Sequence, residues 1–469
     1  MMELFSIGRK GEQIMQTGNK WIDKYELKRL LSLMLPLYIA NLLQMGLGVT
    51  DTLVAGWKGE TDLAAVALGF SICGTITVAG GAVLTILSAI ISRLRGAGAD
   101  NKAGSFLNNA KILAVLLSIF NILAIYAGSY IYPFTTDNAA LADMAQQYSF
   151  CVMLGVPAMM LLRVVAGNFE GYGQTRPAMI VAFLGLLLNV PLNYALVFGV
   201  GPFPEMGAIG CGVATAIISW LNFFTILTLM VGSSQHRARA KQMLAWRRPD
   251  WNIIGRIFKL GLPVGVASLC EMSFFCLITL IIAPLGETAV SAQQISINVS
   301  GLIFMLPLSL GIAASIRGAY HVGAARKDAF NAMVRTLMVI TYGLVLIFMV
   351  GTIVLRNEII GCYTDSDAII NTASTLLILC AVYQVPDATQ AIMGGLLRGC
   401  HDTAIITWSN LFSYWCIGLP LAYILIHTDW IVPAMGAPGA WVSFIIALTV
   451  TAIILSIRFL ITRKKVFLH

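Results

Sequence analysis

Three carboxylates lie inside long apolar stretches of this sequence. They are Asp51 in "LQMGLGVTDTLVAGW", Glu271 in "LPVGVASLCEMSFFCL" and Asp387 in "YQVPDATQAIMGG". An ionised carboxylate in an apolar medium is costly unless a partner, a proton or water compensates its charge. We find no Lys or Arg at comparable depth, so we expect a proton, a bound cation or a water-filled cavity at these positions. Exchange of such a cation for a positively charged ligand is the chemistry of coupled transport.

Uncharged polar side chains accompany these acids at helical spacing. Asn189 and Asn193 are four residues apart, and Tyr383 precedes Asp387 by four, so each pair shares one face of a helix. Such residues either join neighbouring helices by hydrogen bonds or line a binding site, and a tyrosine ring can also face a cation. The candidate binding residues are Asp51, Glu271, Asp387, Tyr383, Asn189 and Asn193, with Gln44, Gln294 and Gln390 as secondary candidates. We identify no catalytic residue, and we expect Glu271 and Asp387 to be the ligands if the cation is sodium.

The elements that must position these residues are membrane-spanning helices. The chain has 469 residues, of which 58% are hydrophobic and 11% charged, and its mean hydropathy is +0.83. A helix needs roughly 20 apolar residues to cross a bilayer, and the apolar runs here are continuous rather than alternating, which favours helices over a β-barrel. We predict twelve spans, at 31–57, 63–92, 109–133, 146–168, 177–200, 207–232, 255–284, 290–319, 333–355, 371–397, 404–427 and 434–461.

Positive charge is concentrated on one side of these predicted spans. When the amino terminus is placed inside, nearly all of the 30 Lys and Arg fall on the inner side, with Lys58 and Arg356 as the exceptions. Because basic loops are retained in the cytoplasm, we predict that both termini are cytoplasmic. The basic stretch "QHRARAKQMLAWRRPDW" then faces anionic lipid head groups. We therefore expect the basic residues behind the net charge of +8 to interact with the lipid bilayer and not with nucleic acid.

Two further features exclude other classes of protein. The nine cysteines are scattered singly without a Cys-x-x-Cys pair, so we expect neither disulfides nor a cysteine metal site. The opening thirty residues mix acids and bases without a short apolar core, so we interpret them as a segment on the inner side rather than as a signal peptide.

The chain also contains an internal duplication. "GETDLAAVALG" from Gly59 matches "GETAVSAQQIS" from Gly286, and further matches at nearly the same separation pair Gly96-Ala97 with Gly323-Ala324, "NVPLNY" with "GLPLAY", and "MGAIGCGV" with "MGAPGAWV". We predict a segment 1–30, a six-helix lobe 31–232, a linker 233–254, a second lobe 255–462 and a tail 463–469. Six is even, so the lobes are related by an axis along the membrane normal, which suits alternating access around a central cleft. The alternative is a closed, inert cleft.

These motifs, in this order, resemble the NorM-type branch of the multidrug and toxic compound extrusion (MATE) transporters. The resemblance runs from about Leu30 to the carboxyl end. It is carried by "VTDTLVAG" at 49–56, "LNVPLNY" at 188–194, "GCGVATA" at 210–216, "CEMSFF" at 270–275, "AQQ" at 292–294, "YQVPDATQ" at 383–390 and "LRG" at 397–399. It implies an all-α integral membrane protein with twelve transmembrane helices in two pseudo-symmetric six-helix bundles.

The resemblance also implies an activity. Such a protein exports organic cations and amphipathic drugs across a bacterial inner membrane in exchange for a coupling ion, Na⁺ or H⁺, and it needs no cofactor. It places Asp51, beside Asn189 and Asn193, in the cavity of the first lobe. It places Glu271 and Asp387, close to Tyr383, in the cation site of the second lobe.

Other functions remain to be distinguished from antiport. A flippase for a lipid-linked glycan shares the architecture, but its cavity needs basic residues for pyrophosphate, and only Arg163 is a candidate. An intramembrane aspartyl protease would pair Asp51 with Asp387 at about 3 Å, yet Asp51 follows Val49-Thr50 rather than Gly-x-Gly. A pore or receptor would not explain the repeat and the buried acids. We expect no enzymatic activity and, because the repeat already completes a cleft, a monomer.

Overall fold

The chain is helical throughout its spanning part. The computed structural model describes residues 22–136, 138–245, 247–430 and 432–468, so most of the predicted segment 1–30 lies outside the described residues. Twelve helices of the described part are long and apolar enough to cross a membrane. We number them Lys24–Lys58 (α1), Glu60–Gly96 (α2), Asp100–Phe134 (α3), Ala139–Gly171 (α4), Arg176–Phe198 (α5), Ala208–Gly232 (α6), Trp251–Leu285 (α7), Glu287–Gly323 (α8), Lys327–Val354 (α9), Asp367–Gly399 (α10), Ala404–His427 (α11) and Ala437–Lys465 (α12). The prediction of twelve helical spans is confirmed.

Side-chain caps extend several helices beyond their apolar stretches. Asp23 accepts hydrogen bonds from two backbone N–H groups in the first turn of α1, at 2.8 and 3.1 Å. Asn138 and Asp250 cap α4 and α7 in the same way. Because a cap satisfies donors that a helix start leaves unpaired, α1 begins at Lys24 rather than at the predicted residue 31.

Two spans are not uniform α-helices, and two short helices lie outside the spans. In α2 the segments Glu60–Leu84 and Ile86–Gly96 meet at Thr85. In α11 the middle, Leu411–Gly418, is a π-helix, a form that is frequent at functional sites. The short helices are Arg237–Leu244, inside the predicted linker, and Arg356–Gly361, before α10.

The twelve helices form two bundles with the same packing plan. In the first bundle, α1 to α6, helix α2 packs on α4 and α4 packs on α6; in the second, α7 to α12, helix α8 packs on α10 and α10 packs on α12. Large apolar side chains such as Phe120, Leu154 and Trp408 are each more than 60% exposed at the rim. Apolar exposure of that extent fits lipid rather than water around the bundles.

Contacts between the bundles involve pseudo-symmetric pairs of helices. Helix α2 packs on α7 and on α8, and α1 packs on α8. A Cβ atom placed on Gly96 would lie 2.1 Å from the carbonyl oxygen of Tyr320, and one on Gly323 would lie 2.1 Å from that of Arg93. Gly96 and Gly323 are the residues that the internal repeat aligns, so one close backbone approach occurs twice. We call the end of the molecule where α1 begins and α12 ends the basal end; these contacts lie there.

Polar contacts reinforce the basal junction. Glu26 of α1, which is fully buried, accepts hydrogen bonds from the Arg317 guanidinium of α8 at 2.5 and 3.1 Å, and it contacts His321 at 3.1 Å. The guanidinium of Arg93 lies 3.1 Å from the imidazole Nδ1 of His401, which follows α10. Removal of one partner from a buried ion pair leaves the other charge unpaired, which is strongly unfavourable.

The glycine contacts predict that small substitutions will open the basal end. Gly96→Ala or Gly323→Ala forces a methyl group against a backbone carbonyl, and overpacking of this kind costs about 1–3 kcal/mol. We expect the distance between spin labels at Lys102 and Lys327, both exposed at this end, to lengthen in each variant. Gly343→Ala is the matched control because no atom lies within 4 Å of its Cβ position. Unchanged distances in both variants would contradict the packing described here.

The histidine at the junction predicts a dependence on pH. Burial, together with the positive charges of Arg93 and Arg256, lowers the pKa of His401 from 6.5 to about 3. Separation of the bundles would expose His401 and restore its ordinary pKa, so the open state binds the proton more tightly. The contact is therefore fully stable above about pH 6.5 and weakens as the pH falls, by at most about 1.4 kcal/mol per pH unit.

The same spin-label pair measures this effect between pH 8 and pH 5. We expect the long-distance population to grow as the pH falls. His401→Asn removes the titrating group, and asparagine tolerates the positive φ of 62° at this position. If the variant responds to pH as strongly as the unmodified protein does, another group is responsible.

Candidate functional site

The Asp51 carboxylate of the first bundle is enclosed by hydrogen-bond donors. Asn193 donates to Oδ1 at 2.7 Å, Asn189 lies 3.5 Å from the same oxygen, and the Thr215 hydroxyl donates to Oδ2 at 3.1 Å. Asp51 is 9% exposed. Donors on both oxygens compensate an ionised carboxylate without a basic partner.

Three helices build this cage. The four-residue spacing on α5 puts Asn189 and Asn193 on one face towards α1, as predicted from the sequence. Thr215 belongs to α6, and sequence reasoning missed it although it lies within "GCGVATA". The thiol of Cys211, one turn earlier on α6, lies 3.7 Å from the Asp51 backbone oxygen. The four-residue spacing of Cys211 and Thr215 puts them on one helix face, and this spacing could have identified both residues from the sequence.

The amide groups of the cage keep some capacity to bind. The Oδ1 atoms of Asn189 and Asn193 are buried and have no hydrogen-bond partner among the described residues. Buried polar atoms are nearly always paired, so two free oxygens beside a carboxylate favour a visiting donor or cation at this place.

The second bundle brings Glu271 of α7 and Asp387 of α10 together. The two carboxyl groups are close enough to interact electrostatically, and the Tyr383 hydroxyl interacts with Asp387. Asp387 is 4% exposed, and its Oδ1 has no hydrogen-bond partner in the described part of the chain. Two acids that share a site repel each other unless a positive species lies near them.

One basic residue lies near these acids, contrary to the expectation from sequence. Arg398 of α10 interacts electrostatically with Glu271, although the two form no direct ion pair in the described structure. The sequence places Arg398 at the basal end of its helix, and its long side chain reaches back along α10, near Gly311 of α8. The statement that no Lys or Arg stands at comparable depth was therefore wrong for Glu271; for Asp387 the described interactions include no basic group.

The aromatic candidate Tyr383 is part of the core of the second bundle. Its ring meets Trp441 edge-on at 5.5 Å and Phe444 at 6.2 Å, and the residue is 3% exposed. The ring therefore supports the helix that carries Asp387, while its hydroxyl reaches the carboxyl group.

The glutamine candidates have different environments. Gln390 accepts a hydrogen bond at 2.6 Å from the hydroxyl of Tyr414, which lies in the π-helical segment of α11. Gln294 is exposed and lies 3.4 Å from Asn298 on its own helix, and Gln44 is exposed on α1. Within the described part of the chain, only Gln390 of these three is joined to another helix by a hydrogen bond.

The two sets of acids stay apart in the described structure. No hydrogen bond or ion pair of the described residues joins Asp51 to Glu271 or Asp387. The described part of the chain also holds no group of three or more His, Cys, Asp or Glu residues that could bind a metal ion. The aspartyl-protease alternative, which needs Asp51 against Asp387, has no support from this arrangement.

Comparison with known proteins identifies the family. A family model described as MatE matches residues 36–195 and again residues 263–424. The chain belongs to the MatE family. The two matched segments of this MatE chain lie one in each bundle, and the resemblance inferred from the motifs is confirmed.

Relatives of this MatE chain are named as drug-resistance proteins. It is 38% identical over 450 residues to "Multidrug resistance protein MdtK" of Photorhabdus laumondii, which covers 95% of this chain and 98% of the relative. It is 38% identical over 435 residues to "Multidrug resistance protein NorM" of Photobacterium profundum, covering 92% and 95%. The fold is similar to that of a eukaryotic MATE transporter, AtDTX14, with a TM-score of 0.83 and 21% identity over 94% of this chain and 98% of the other.

The Asp51 cage predicts unequal roles for its two asparagines. Asn193→Ala removes the shorter hydrogen bond and leaves a buried carboxylate oxygen without its main donor, a loss of about 1–3 kcal/mol. Asn189→Ala removes only the contact at 3.5 Å and serves as the matched control. We expect the melting temperature of purified protein in detergent to fall more for Asn193→Ala. An equal or reversed order would mean that the cage is not held by the contacts seen here.

Proposed function

We propose that this MatE protein is a secondary antiporter that exports cationic and amphipathic organic compounds in exchange for Na⁺ or H⁺. The observation that carries the proposal is the buried Asp387 carboxyl group, which has an unpaired oxygen and lies beside a second acid, Glu271. A pair of acids at this depth is stable when a cation or proton occupies the site. Whether a cation or proton occupies this pair of acids therefore depends on the ion gradient.

The substrate side of the proposal rests on Asp51. Its negative charge, with free asparagine oxygens beside it, attracts positively charged organic groups or donors. Apolar side chains in the cleft between two bundles would hold the rest of an amphipathic ligand, as in most small-molecule sites. The names of the relatives agree with such substrates.

The bundles supply the movement that exchange needs. The contacts described above hold the basal end together, so we propose that the cleft opens at the opposite end in this conformation and at the basal end in the other. The excess of Lys and Arg at the basal end supports a cytoplasmic position for that end. We further propose that the protein works in a bacterial inner membrane and as a monomer.

The glycan flippase is the weaker candidate. A pyrophosphate ligand requires unpaired basic groups. Arg163, the basic candidate from the sequence, interacts with Glu170, and Arg398 interacts with Glu271. They are therefore already compensated.

Reconstituted protein tests the coupling directly. In proteoliposomes loaded with the fluorescent cation ethidium, we impose a Na⁺ gradient alone and then a pH gradient alone. We expect one of them to drive ethidium movement in the unmodified protein. Asp51→Asn, Glu271→Gln and Asp387→Asn should each lower the gradient-driven rate by at least about tenfold, since each removes a charge from the cycle.

The control for this experiment is Asp143→Asn, an exposed acid at the start of α4 whose carboxylate, among the described residues, bonds only Gln147 of its own helix. It should transport at the unmodified rate. Gradient-driven transport that persists in all three site variants, with normal insertion and melting, would overturn the proposal.

A further inference from the structure

Three basic side chains meet at the basal junction without an acid. Arg93 lies in the last turn of α2, Arg256 in the second turn of α7, and His401 just after α10. The Arg93 guanidinium is 3.1 Å from His401 Nδ1, and Arg256 is close enough to both residues to interact with them electrostatically. The described interactions of these three residues include no carboxylate. Because like charges repel, this part of the junction calls for an anion.

Other basic groups at the basal end have acids of their own. Arg317 and His321 both contact Glu26. Arg239 is close enough to Asp100 to interact with it electrostatically. A set of basic side chains without a carboxylate is therefore a property of this place and not of the basal end in general.

The acid next to His401 in the sequence serves another helix. The Asp402 carboxylate accepts hydrogen bonds from the Arg458 guanidinium at 2.7 and 3.1 Å and from the Thr462 hydroxyl at 2.6 Å. Both donors belong to α12. Asp402 is thus engaged away from the three basic groups and does not balance their charge.

The histidine ring carries an N–H group without an acceptor. A guanidinium can only donate hydrogen bonds, so His401 Nδ1 accepts from Arg93, and the hydrogen of the neutral ring is on Nε2. Nε2 is buried and has no hydrogen-bond partner among the described residues. Buried donors are nearly always paired. This N–H group beside two guanidinium groups indicates a ligand that accepts hydrogen bonds and carries negative charge.

The backbone makes a histidine unexpected at this position. Helix α10 ends in a Schellman motif, in which the His401 N–H bonds to the Arg398 carbonyl and the Asp402 N–H to the Leu397 carbonyl, each at 3.0 Å. The φ of His401 is 62°, a value that favours glycine.

The internal repeat shows the usual choice. "EGYGQT" after α4 matches "RGCHDT" after α10, and it has Gly173, with a φ of 73°, where the second copy has His401. The first bundle thus uses the residue that the backbone prefers. A strained backbone at a side chain with an unpaired donor is typical of a functional position.

We propose that Arg93, Arg256 and the Nε2 N–H of His401 bind a phosphate group at the basal junction and that this group holds the two bundles together. Guanidinium groups suit phosphate oxygens in charge and geometry. Arg256 is exposed, so a phosphate can reach it from the lipid head-group region or from solution. Basic pockets between helices on the cytoplasmic side of membrane proteins commonly bind lipid head groups.

The position of the site gives the bound phosphate an effect on conformation. Arg93 belongs to the first bundle, whereas Arg256 and His401 belong to the second. Opening of the basal end would pull these groups apart and destroy the site. A ligand that binds only the closed arrangement shifts the equilibrium towards it. The inference therefore concerns regulation of the cycle and is independent of the coupling ion and of the exported compound.

Binding of ³²P-labelled inorganic phosphate to the purified full-length protein in dodecyl maltoside tests the site. At pH 8 we expect saturable binding. Arg93→Gln and Arg256→Gln should each raise the half-saturating concentration about tenfold, because each removes a charged hydrogen-bond donor. His401→Gly should raise it by a smaller factor. Glycine suits the backbone here, as Gly173 shows, so this variant should keep its fold.

The matched control is Arg29→Gln in the first bundle. Arg29 of α1 precedes Arg256 by the same separation that relates Gly96 to Gly323 in the repeat. It is exposed, and its described contacts are with Tyr25 of its own helix. This variant should bind phosphate as the unmodified protein does. Potassium chloride at equal ionic strength should not displace the phosphate, which separates binding from screening.

Competition identifies the source of the phosphate group. Phosphatidylglycerol and its deacylated form, glycerophosphoglycerol, share one phosphate diester and differ in their acyl chains. Displacement of ³²P-phosphate by the lipid at a concentration about tenfold lower assigns the site to a lipid head group, since buried acyl chains add affinity. Equal or weaker displacement by the lipid assigns it to a soluble phosphate. Either result supports a phosphate site.

The spin labels at Lys102 and Lys327 measure the effect on the junction. Phosphate should reduce the long-distance population in the unmodified protein and should have less effect in Arg256→Gln. Phosphate that binds without any change in these distances would contradict its role at the junction. Absence of saturable binding, or an unchanged half-saturating concentration in Arg93→Gln, Arg256→Gln and His401→Gly with normal melting temperatures, would overturn the whole inference.

Discussion

Compensation of buried negative charge is the constraint on which the arrangement of this protein depends. The two bundles meet it differently. In the first, three side-chain donors from α5 and α6 surround Asp51 and satisfy both of its oxygens. In the second, Asp387 keeps an oxygen without a donor and has another acid as its neighbour. A duplicated scaffold thus carries one acid whose two oxygens are both held by fixed donors and one that keeps an oxygen open to a mobile species. The difference in chemistry, rather than in fold, separates the two halves.

The junction between the bundles follows from the same duplication. Gly96 and Gly323 let two helices approach until each lacks room for a Cβ atom beside the other's backbone. Backbone contact of this kind is held by van der Waals packing rather than by directional bonds. Specific bonding comes from a few polar groups, chiefly Glu26 with Arg317. A junction with these properties is stable when formed and yet can open as a unit, which alternating access requires.

The sequence was sufficient for the fold because each span had to satisfy its own backbone inside lipid, which makes helices the only solution for continuous apolar runs. Helix ends were less predictable: Asp23 and Asp250 set the starts of α1 and α7 by capping, and hydropathy does not detect a cap. Asn189 and Asn193 could be assigned to one face from their spacing, but their contact with Asp51 needed the packing of α1 on α5. The proximity of Arg398 to Glu271 was not predicted because its depth in the membrane was inferred from the position of its Cα atom. A long side chain carries its charge several ångströms along the helix from that atom. Thr215 was missed because a single hydroxyl in an apolar run resembles ordinary helix packing until its partners are known.

The separation of the two sets of acids bears on how ion and substrate influence each other. Asp51 and Asp387 belong to different bundles, and no bond of the described residues links them. The helices that carry the acids also carry contacts between the bundles. Helix α1 contains both Asp51 and Glu26, which are roughly 37 Å apart along the helix axis. Helix α7 contains Glu271 and also Gly261, whose Cβ position lies 2.0 Å from the Val83 carbonyl oxygen of α2. A helix transmits a tilt or a shift along its whole length, because its packed neighbours allow discrete rather than continuous rearrangements. Occupancy of either acid can therefore bias the same basal contact, and two ligands that bias one two-state junction in opposite directions are coupled even though they never touch.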